Sequence, residues 1–216
     1  MKTIDLFDLT HTLAGEYLSQ FEYPWQALKG IKDMVLALGP TLGPEYKEIA
    51  PTVWVHESAE VFPSAYLGPA TIIGPETEVR HCAFVRGPAL VGANCVVGNS
   101  VELKNVILFD NVQTPHYNYV GDSILGYKSH MGAGSITSNV KSDKTLVTVH
   151  GETDLPTGIK KFGAMLGDHV EVGCNSVLNP GTVLGKGVSV YPCSCVRGVI
   201  PAEHIVKTGG IIVKRS

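Results

Sequence analysis

The hydrophobic positions of this chain fall on a beat of six. From Val55 an aliphatic residue recurs at Val61, Leu67, Ile73, Val79, Val85, Val91, Val97 and Leu103, and Phe109 closes the run. Four positions after each stands a small or aliphatic residue: Ala59, Ala65, Thr71, Thr77, Ala83, Ala89, Cys95, Val101 and Ile107. Glycine often follows the aliphatic position directly, as in Leu67-Gly68 and Val97-Gly98. The beat resumes at Tyr119, Leu125, Met131 and Thr137, and returns at Leu166, Val172, Leu178, Leu184, Val190 and Val196. A period of six fits neither a 3.6-residue helix nor simple strand alternation, so it requires a repeat architecture. The all-β solenoid of hexapeptide repeats answers it. Three hexads make a triangular coil of about eighteen residues, with the aliphatic residue inward and the small one at a crowded corner. Coils then stack about 4.8 Å apart, each strand pairing with the strand one coil away.

A stack of coils exposes its ends, and residues 1–50 read as a helical cap. Trp25 to Leu38 predicts a helix, with Pro24 near its start, an apolar stripe of Trp25, Leu28, Ile31, Val35 and Leu38, and Gly39-Pro40 to stop it. A further helix is expected within Leu6 to Leu18. The β-helix itself spans 51–201. Residues 202–216, with the run HIVKTGGIIVKRS, read as a strand and tail that close the far end against edge pairing.

The beat breaks twice. Between Phe109 and Tyr119 the spacing predicts four extra residues, QTPH, bulging onto the surface and presenting His116 to solvent or to a neighbouring subunit. Between Thr137 and Leu166 an external arm is expected at about residues 140–165, and its middle, TLVTVHG, alternates like a strand of a hairpin. Lys160 and Lys161 in this arm can meet a cofactor phosphate or stand as a solvated pair. Arg86 and Lys104 are eighteen positions apart, each just after an inward aliphatic residue, so they should project side by side from successive coils. Two adjacent cations repel unless an anion sits between them, and a phosphate monoester suits that place; the alternative is a pair of solvated surface charges.

Composition narrows the function classes. Of 216 residues 44% are hydrophobic and 17% charged, which suits a folded soluble domain. With 17 basic against 20 acidic side chains there is no footprint for nucleic acid or an anionic membrane. The N-terminal MKTIDLFDLTHTL carries acids where a secretory signal needs an apolar run, and no stretch has the length of a membrane span, so a cytoplasmic protein is expected. Five cysteines without a CxxC pair argue against a disulfide framework or structural zinc, and they read as small buried side chains.

Four motifs then carry a resemblance. VELKN (101–105), PHYNYVGDS (115–123), GAGSITSN (132–139) and LGDHVEVGCNSVLNPG (166–181) are similar to the acetyltransferase domain of bifunctional glucosamine-1-phosphate acetyltransferase and N-acetylglucosamine-1-phosphate uridyltransferase. KKFGAMLGDHVEVGCN, with its long preceding arm, resembles the β-helix domain of archaeal sugar-phosphate nucleotidylyltransferases with amino-sugar acetyltransferase activity. The resemblance covers roughly residues 51 to 201. It implies a left-handed parallel β-helix, a homotrimer with each site between subunits, and acetyl-CoA-dependent N-acetylation of an amino sugar or its phosphate. It implies His116 as general base, Glu102 as its supporting carboxylate, and Arg86, Lys104 and Tyr119 as contacts to the sugar phosphate. Asn139 would contact substrate or acetyl-CoA, and the backbone around Ala133 would receive the thioester end. A histidine titrates in the range an amine acylation needs, backbone amides can stabilise the oxyanion, and a clamped phosphate orients the nucleophile.

The sequence departs from that pattern in three places. His130 stands where the family commonly has asparagine, which alters the sugar pocket. Cys174 and Pro192 replace smaller residues beside the coenzyme track. The relatives' glycine-rich GxGTR-type nucleotide-binding loop is missing, with residues 1–50 in its stead, so uridylyl transfer is not expected. Two other readings compete: a non-catalytic β-helix that binds sugar nucleotides or assembles with a separate nucleotidyltransferase, and a zinc-dependent γ-type carbonic anhydrase. None of the eight histidines shows the His-x4-His spacing of the latter, and no metal is expected.

Overall fold

Each coil of the chain lays three short strands on three faces, and the same face recurs about eighteen residues later. A computed structural model describes residues 1–215. On the first face Val53–His56 pairs in parallel with Thr71–Ile73, which pairs with Ala89–Val91, and the ladder continues through 106–108, 123–125, Ala164–Leu166 and Thr182–Leu184 to Val199–Ile200. The second face runs from Glu60–Val61 and Glu78–Val79 through Val96–Asn99 to Gln113–His116, His130–Met131, Glu171–Val172, Ser189–Val190 and His204–Val206. The third stacks Tyr66–Leu67, Phe84–Val85, 102–103, 119–120, Ile136–Thr137, Val177–Leu178 and Cys195–Val196. This is the expected parallel β-helix. Ile73, Val79, Val85, Val91, Val97 and Leu103 are all fully buried on its axis.

The first break in the beat is the reverse of the expected bulge. Val91 pairs with Leu108, Val97 with Thr114 and Leu103 with Val120. The inward residues are therefore Leu108, Thr114 and Val120, not Phe109 and Tyr119. The coil is one residue short rather than four long, as partners 17 positions apart across it attest. QTPH is a strand (Gln113–His116) in register on the second face. Phe109 points outward and is buried there, its ring 5.0 Å from that of Phe7.

The second break is a hairpin. Thr148–His150 pairs antiparallel with Asp154–Pro156, and coils across the insertion are related by 41 positions. The arm lies against the first face: Val147 and Val149 are buried, and Val147 packs on Gly181.

Residues 1–42 do not seal an end. They run along the first face, where the outward residues Trp54, Ile72, Leu90, Ile107, Ile124 and Met165 are apolar and buried. Gly39 packs on the Trp54 indole, Trp25 stacks on Phe162 at 5.8 Å, and His11 stacks on Tyr127 at 3.7 Å. The segment consists of short turns: Thr3–Leu6, Leu9–His11, Gly15–Ser19, a 3-10 helix Pro24–Gly30 and an α-helix Ile31–Leu38. Trp25–Leu38 is thus split at Gly30, where Tyr17 Oη lies so close that a side chain would collide with it. The end itself is closed by Tyr46–Ala50, antiparallel to Val53–His56. At the far end Ile212–Lys214 turns back antiparallel to His204–Val206; Ser216 lies outside the described residues.

Asp168 fastens this cover. Its buried carboxylate accepts from Asp8 N (2.8 Å) and Tyr127 N (3.0 Å) and pairs with Lys186 Nζ at 3.0 Å, while its own N–H donates to Leu6 O. Asp168→Ala should cost about 3 kcal/mol, since a buried ion pair loses one partner and two amides lose their acceptor. Limited proteolysis should then cut within residues 1–42 before the β-helix; an unchanged digestion pattern would show that the apolar contacts alone hold the segment.

The cysteines differ from expectation. Only Cys95 is buried, while Cys82, Cys174, Cys193 and Cys195 are exposed. The last four take corner or outward positions, where a small polar side chain fits as well as a buried one. Burial pushes the Cys95 thiol up to about 12. Titration with a thiol reagent at neutral pH should label four cysteines in the folded protein and the fifth only in denaturant, because the thiolate is the reactive form.

Candidate functional site

His116 closes its strand on the second face, where the chain turns toward the third. Tyr117, directly after it, takes a left-handed conformation (φ 52°) and is 64% exposed. Such a conformation costs a non-glycine residue about 1–2 kcal/mol, so the corner persists only because its neighbours fix it. Asn118, buried, does the fixing. Its amide donates to Gly132 O (2.8 Å) and Ser135 O (3.1 Å), and its Oδ1 accepts from His116 N at 3.2 Å. Gly134 N in turn donates to His116 O at 3.0 Å. The coil bearing His116 is thereby clamped to the GAGS turn. Gly98 lies against the carbonyl of Pro115 so closely that any side chain would push the His116 strand away.

The exposed imidazole of His116 has no hydrogen-bond partner among the described residues. Ala133 sits one coil on, at the same corner, and its N–H donates to no acceptor among the described residues. Cys174 and Cys193 continue the corner: Asn175 N donates to Ala133 O, and Cys193 N to Cys174 O. Pro192 lies against Gly173 in the same stack. His116, Ala133, Cys174 and Pro192 thus form one edge.

Across the third face the next corner carries charge. Arg86 and Lys104 are side by side as expected, since Val85 and Leu103 are in register and Arg86 N donates to Leu103 O. Their mutual repulsion needs no guest anion, however. Arg86 Nη1 lies 3.0 Å from Glu102 Oε1, and Lys104 Nζ lies 2.8 Å from Asp122 Oδ2. Asp122, only 4% exposed at its side chain, also accepts from the amides of Asn105 and Asn139. Glu102 is therefore turned to Arg86 and makes no hydrogen bond to His116.

Tyr119 stands between the two corners, paired in register with Glu102, and its hydroxyl accepts from Asn139 Nδ2 at 3.2 Å. Burial first, then the fields of Glu102 and Asp122, hold its phenol above the usual range. His130 lies apart on the outside of the second face, where Nδ1 meets Glu171 Oε2 at 2.9 Å.

Lys160 and Lys161 do not reach the His116 edge. They line a cavity of about 330 Å³ at the other corner with Leu28, Lys29, Asn105, Asp122, Leu146, Gly158 and Ile159. A second cavity of about 260 Å³ follows along that corner, lined by Ser138, Lys141, Asp143, Asn179 and Arg197 among others. Sequence reasoning had not singled out Asp122, Asn118, Lys29 or Arg197. Asp122 had a signal only by an unbroken step of eighteen from Lys104; in the short coil Gly121 lies in register with Lys104, and Asp122 stands one position on, opposite Asn105. Among the described residues no group of three or more His, Cys, Asp or Glu side chains is placed to hold a metal ion, and no helix is long and apolar enough to cross a membrane.

Residues 75–211 match the model of the GMPPB C-terminal domain family. Among curated relatives, the "Bifunctional protein GlmU" of Methanococcus vannielii is 33% identical over 119 residues, which are 54% of this chain and 28% of that protein. The "Bifunctional sugar-1-phosphate nucleotidylyltransferase/acetyltransferase" of Sulfurisphaera tokodaii is 34% identical over 98 residues, 45% of this chain and 24% of that one. The match thus spans about a quarter of these relatives' length. Among solved structures, UDP-N-acetylglucosamine acyltransferase from Campylobacter jejuni is 14% identical with a TM-score of 0.37, over 75% of this chain and 74% of that one. AntD, an N-acyltransferase from Bacillus cereus, has 17% identity and the same TM-score over 76% and 81%.

Asn118→Ala should lower stability by about 1–3 kcal/mol in urea unfolding, because two carbonyls of a buried corner each lose a donor and His116 N loses its acceptor. A change confined to a few tenths would mean that the backbone ladder alone sets the His116 corner.

Proposed function

The chain belongs to the GMPPB C-terminal domain family, and from that membership and the two corners we propose an acetyl-CoA-dependent N-acetyltransferase acting on an amino sugar that carries a phosphate. It would work in the cytoplasm as a homotrimer, each site completed by a neighbouring subunit. The observation that carries this reading is the His116 edge: an exposed, unpartnered imidazole one coil from the unused N–H of Ala133. The name of the Sulfurisphaera tokodaii relative, which includes acetyltransferase, supports it.

In this reading the acceptor lies over Tyr119, its phosphate toward Arg86 and Lys104 and its amine toward His116. Strand residues advance about 3.3 Å each, so the width of one short strand matches a hexosamine phosphate. The sugar nitrogen attacks the thioester carbonyl while His116 takes its proton. The C–N bond forms, the carbonyl oxygen gathers charge beside Ala133 N–H, and the C–S bond then breaks with the proton passing to the departing thiolate. The two ion pairs respond differently to an acceptor phosphate. Arg86–Glu102 is solvent-exposed and worth at most about 1 kcal/mol, so a dianion displaces it readily. Lys104–Asp122 is largely buried and stays. Phosphate capture by Arg86 would then release Glu102 to orient His116, which reconciles the observed pairing with a supporting role. Asn139 holds Tyr119, and Cys174 and Pro192 border the donor's acyl end. His130 modifies the acceptor pocket only through a neighbouring subunit.

One observation favours a second reading, a non-catalytic β-helix that binds sugar nucleotides: within the chain His116 has no carboxylate partner, because Glu102 is bound to Arg86.

Thiol release from acetyl-CoA, measured across amino sugars and their phosphates, decides between them. His116→Ala should lower kcat by about two to four orders of magnitude with acetyl-CoA affinity nearly unchanged. Glu102→Gln should give a smaller loss. Full turnover in His116→Ala would remove the base assignment, and no turnover with any acceptor in the parent protein would favour the non-catalytic reading.

A further inference from the structure

Asp122 is a buried carboxylate at the corner where the third face turns into the first, and all of its accepting capacity is used. Lys104 Nζ donates to both of its oxygens, at 2.9 and 2.8 Å, Asn105 Nδ2 donates to Oδ1 at 2.9 Å, and Asn139 Nδ2 donates to Oδ2. An ionised carboxylate accepts about four hydrogen bonds and gives none. Asp122 therefore keeps nothing for a ligand, and acts only through the three side chains that donate to it.

It fixes the direction of each. The end of Asn139 that meets a carboxylate must be its NH2. One amide hydrogen goes to Asp122 and the other to the Tyr119 hydroxyl at 3.2 Å, so that hydroxyl accepts on its inner side. Its own hydrogen has no acceptor among the described residues and is left for the outside. Burial, then Glu102 and Asp122, hold the phenol above its usual range, which keeps that hydrogen in place at neutral pH. Asn139 Oδ1 receives no hydrogen bond among the described residues, and of the three ammonium hydrogens of Lys104 two are spent on Asp122. Gly121, in register with Lys104, has no side chain to collide with Tyr119 Oη, so the ring reaches this corner. The corner thus offers two donors, Tyr119 O–H and one Lys104 N–H, beside one acceptor, Asn139 Oδ1.

We propose that Asp122 is a positioning residue of the acceptor pocket: through Asn139 it turns the Tyr119 hydroxyl outward as a donor. The pocket then selects an anionic oxygen flanked by a hydrogen-bond donor, as in a sugar phosphate whose neighbouring carbon bears an amine or a hydroxyl. The proposal rests on the acetyltransferase reading only for the place of the acceptor over Tyr119. Asp122→Asn replaces one accepting oxygen by an NH2 that faces one of the two amides. Asn105 is also tied to Leu28 O at 3.1 Å, so Asn139 is the amide that turns round. Its carbonyl then takes the Tyr119 hydrogen, and the outward donor is lost.

Calorimetric titration with N-acetylglucosamine 1-phosphate, without acetyl-CoA, tests this without turnover. Tyr119→Phe and Asp122→Asn should each weaken binding by about tenfold, the worth of a hydrogen bond to a charged group. Combined, they should cost less than about twofold beyond Asp122→Asn alone, because both remove the same donor. A merely structural Asp122 would leave the two effects to multiply. Where Asp122→Asn fails to fold, Lys104→Met/Asp122→Asn removes the ion pair as a unit and leaves no buried charge alone. Tyr119→Phe should then weaken binding about tenfold in Lys104→Met and less than about twofold in the paired variant. N-acetylglucosamine, lacking the phosphate, should bind at least about tenfold more weakly than its 1-phosphate. Multiplying effects, unchanged binding in Asp122→Asn, or no binding by the parent protein at millimolar concentration overturns the proposal. Coupling without thiol release from acetyl-CoA would remove the acetyltransferase reading and keep the role of Asp122, and thiol release with multiplying effects would do the reverse.

Discussion

Register between stacked coils governs the rest of this molecule. Strands of two or three residues hold together only because each finds its partners in the coils above and below, about 4.8 Å away. A slip of one residue would turn every inward side chain outward. Length changes are therefore confined to corners. The coil through Leu108, Thr114 and Val120 drops a residue without disturbing a single inward position, and the 41-position step across the arm leaves Leu125 over Leu166 and Met131 over Val172. Left-handed corner residues such as Asn105, Tyr117 and Asp122 make this possible, and the polar groups that fix them form the site.

Register also repeats errors and opportunities down a column. Once the outward residue of the first face is apolar in one coil, stacking places the next apolar residue directly beside it, and Ile72, Leu90, Ile107, Ile124 and Met165 become one continuous strip. A strip of that kind is too apolar to be left facing water across a whole side of a solenoid. The N-terminal segment and the arm cover it. This explains why the segment is made of short turns that bend with the surface, and why a buried aspartate, Asp168, ties it down from the far side.

The solenoid was legible because inward positions obey one period, and a period survives local ambiguity. The cover was misplaced at an end because helices were read for their own apolar stripe and the strands only for their inward beat. The triplets TII, ALV, VIL, SIL, AML and TVL carried the missing information: two adjacent apolar residues in a strand of three bury both sides of the sheet. The same single-mindedness put Phe109 and Tyr119 on the axis. Phe109 is hydrophobic for the cover's sake and Tyr119 for the third face, while Thr114, which does point inward, looks polar. In the site, column arithmetic placed Arg86 beside Lys104 but stopped before Asp122, so the anion that balances Lys104 was sought in a ligand. Glu102 makes no hydrogen bond to His116, since its carboxylate is held by Arg86.

The two kinds of segment divide the work along physical lines. Repeats hold backbone to within a fraction of an ångström and so suit His116, Ala133 and their clamp Asn118, where geometry matters most. They are poor at enclosing a ligand, because each face of a solenoid is open. Enclosure must come from chain that leaves the beat, and here both such segments arrive at the Asn105–Asp122 corner. Their contact is specific, through Asn105 to Leu28 O, and charged, through Lys29, Lys160 and Lys161. The cover through Leu28 and the arm through Ile159 thus meet at the corner where Lys104 pairs with Asp122.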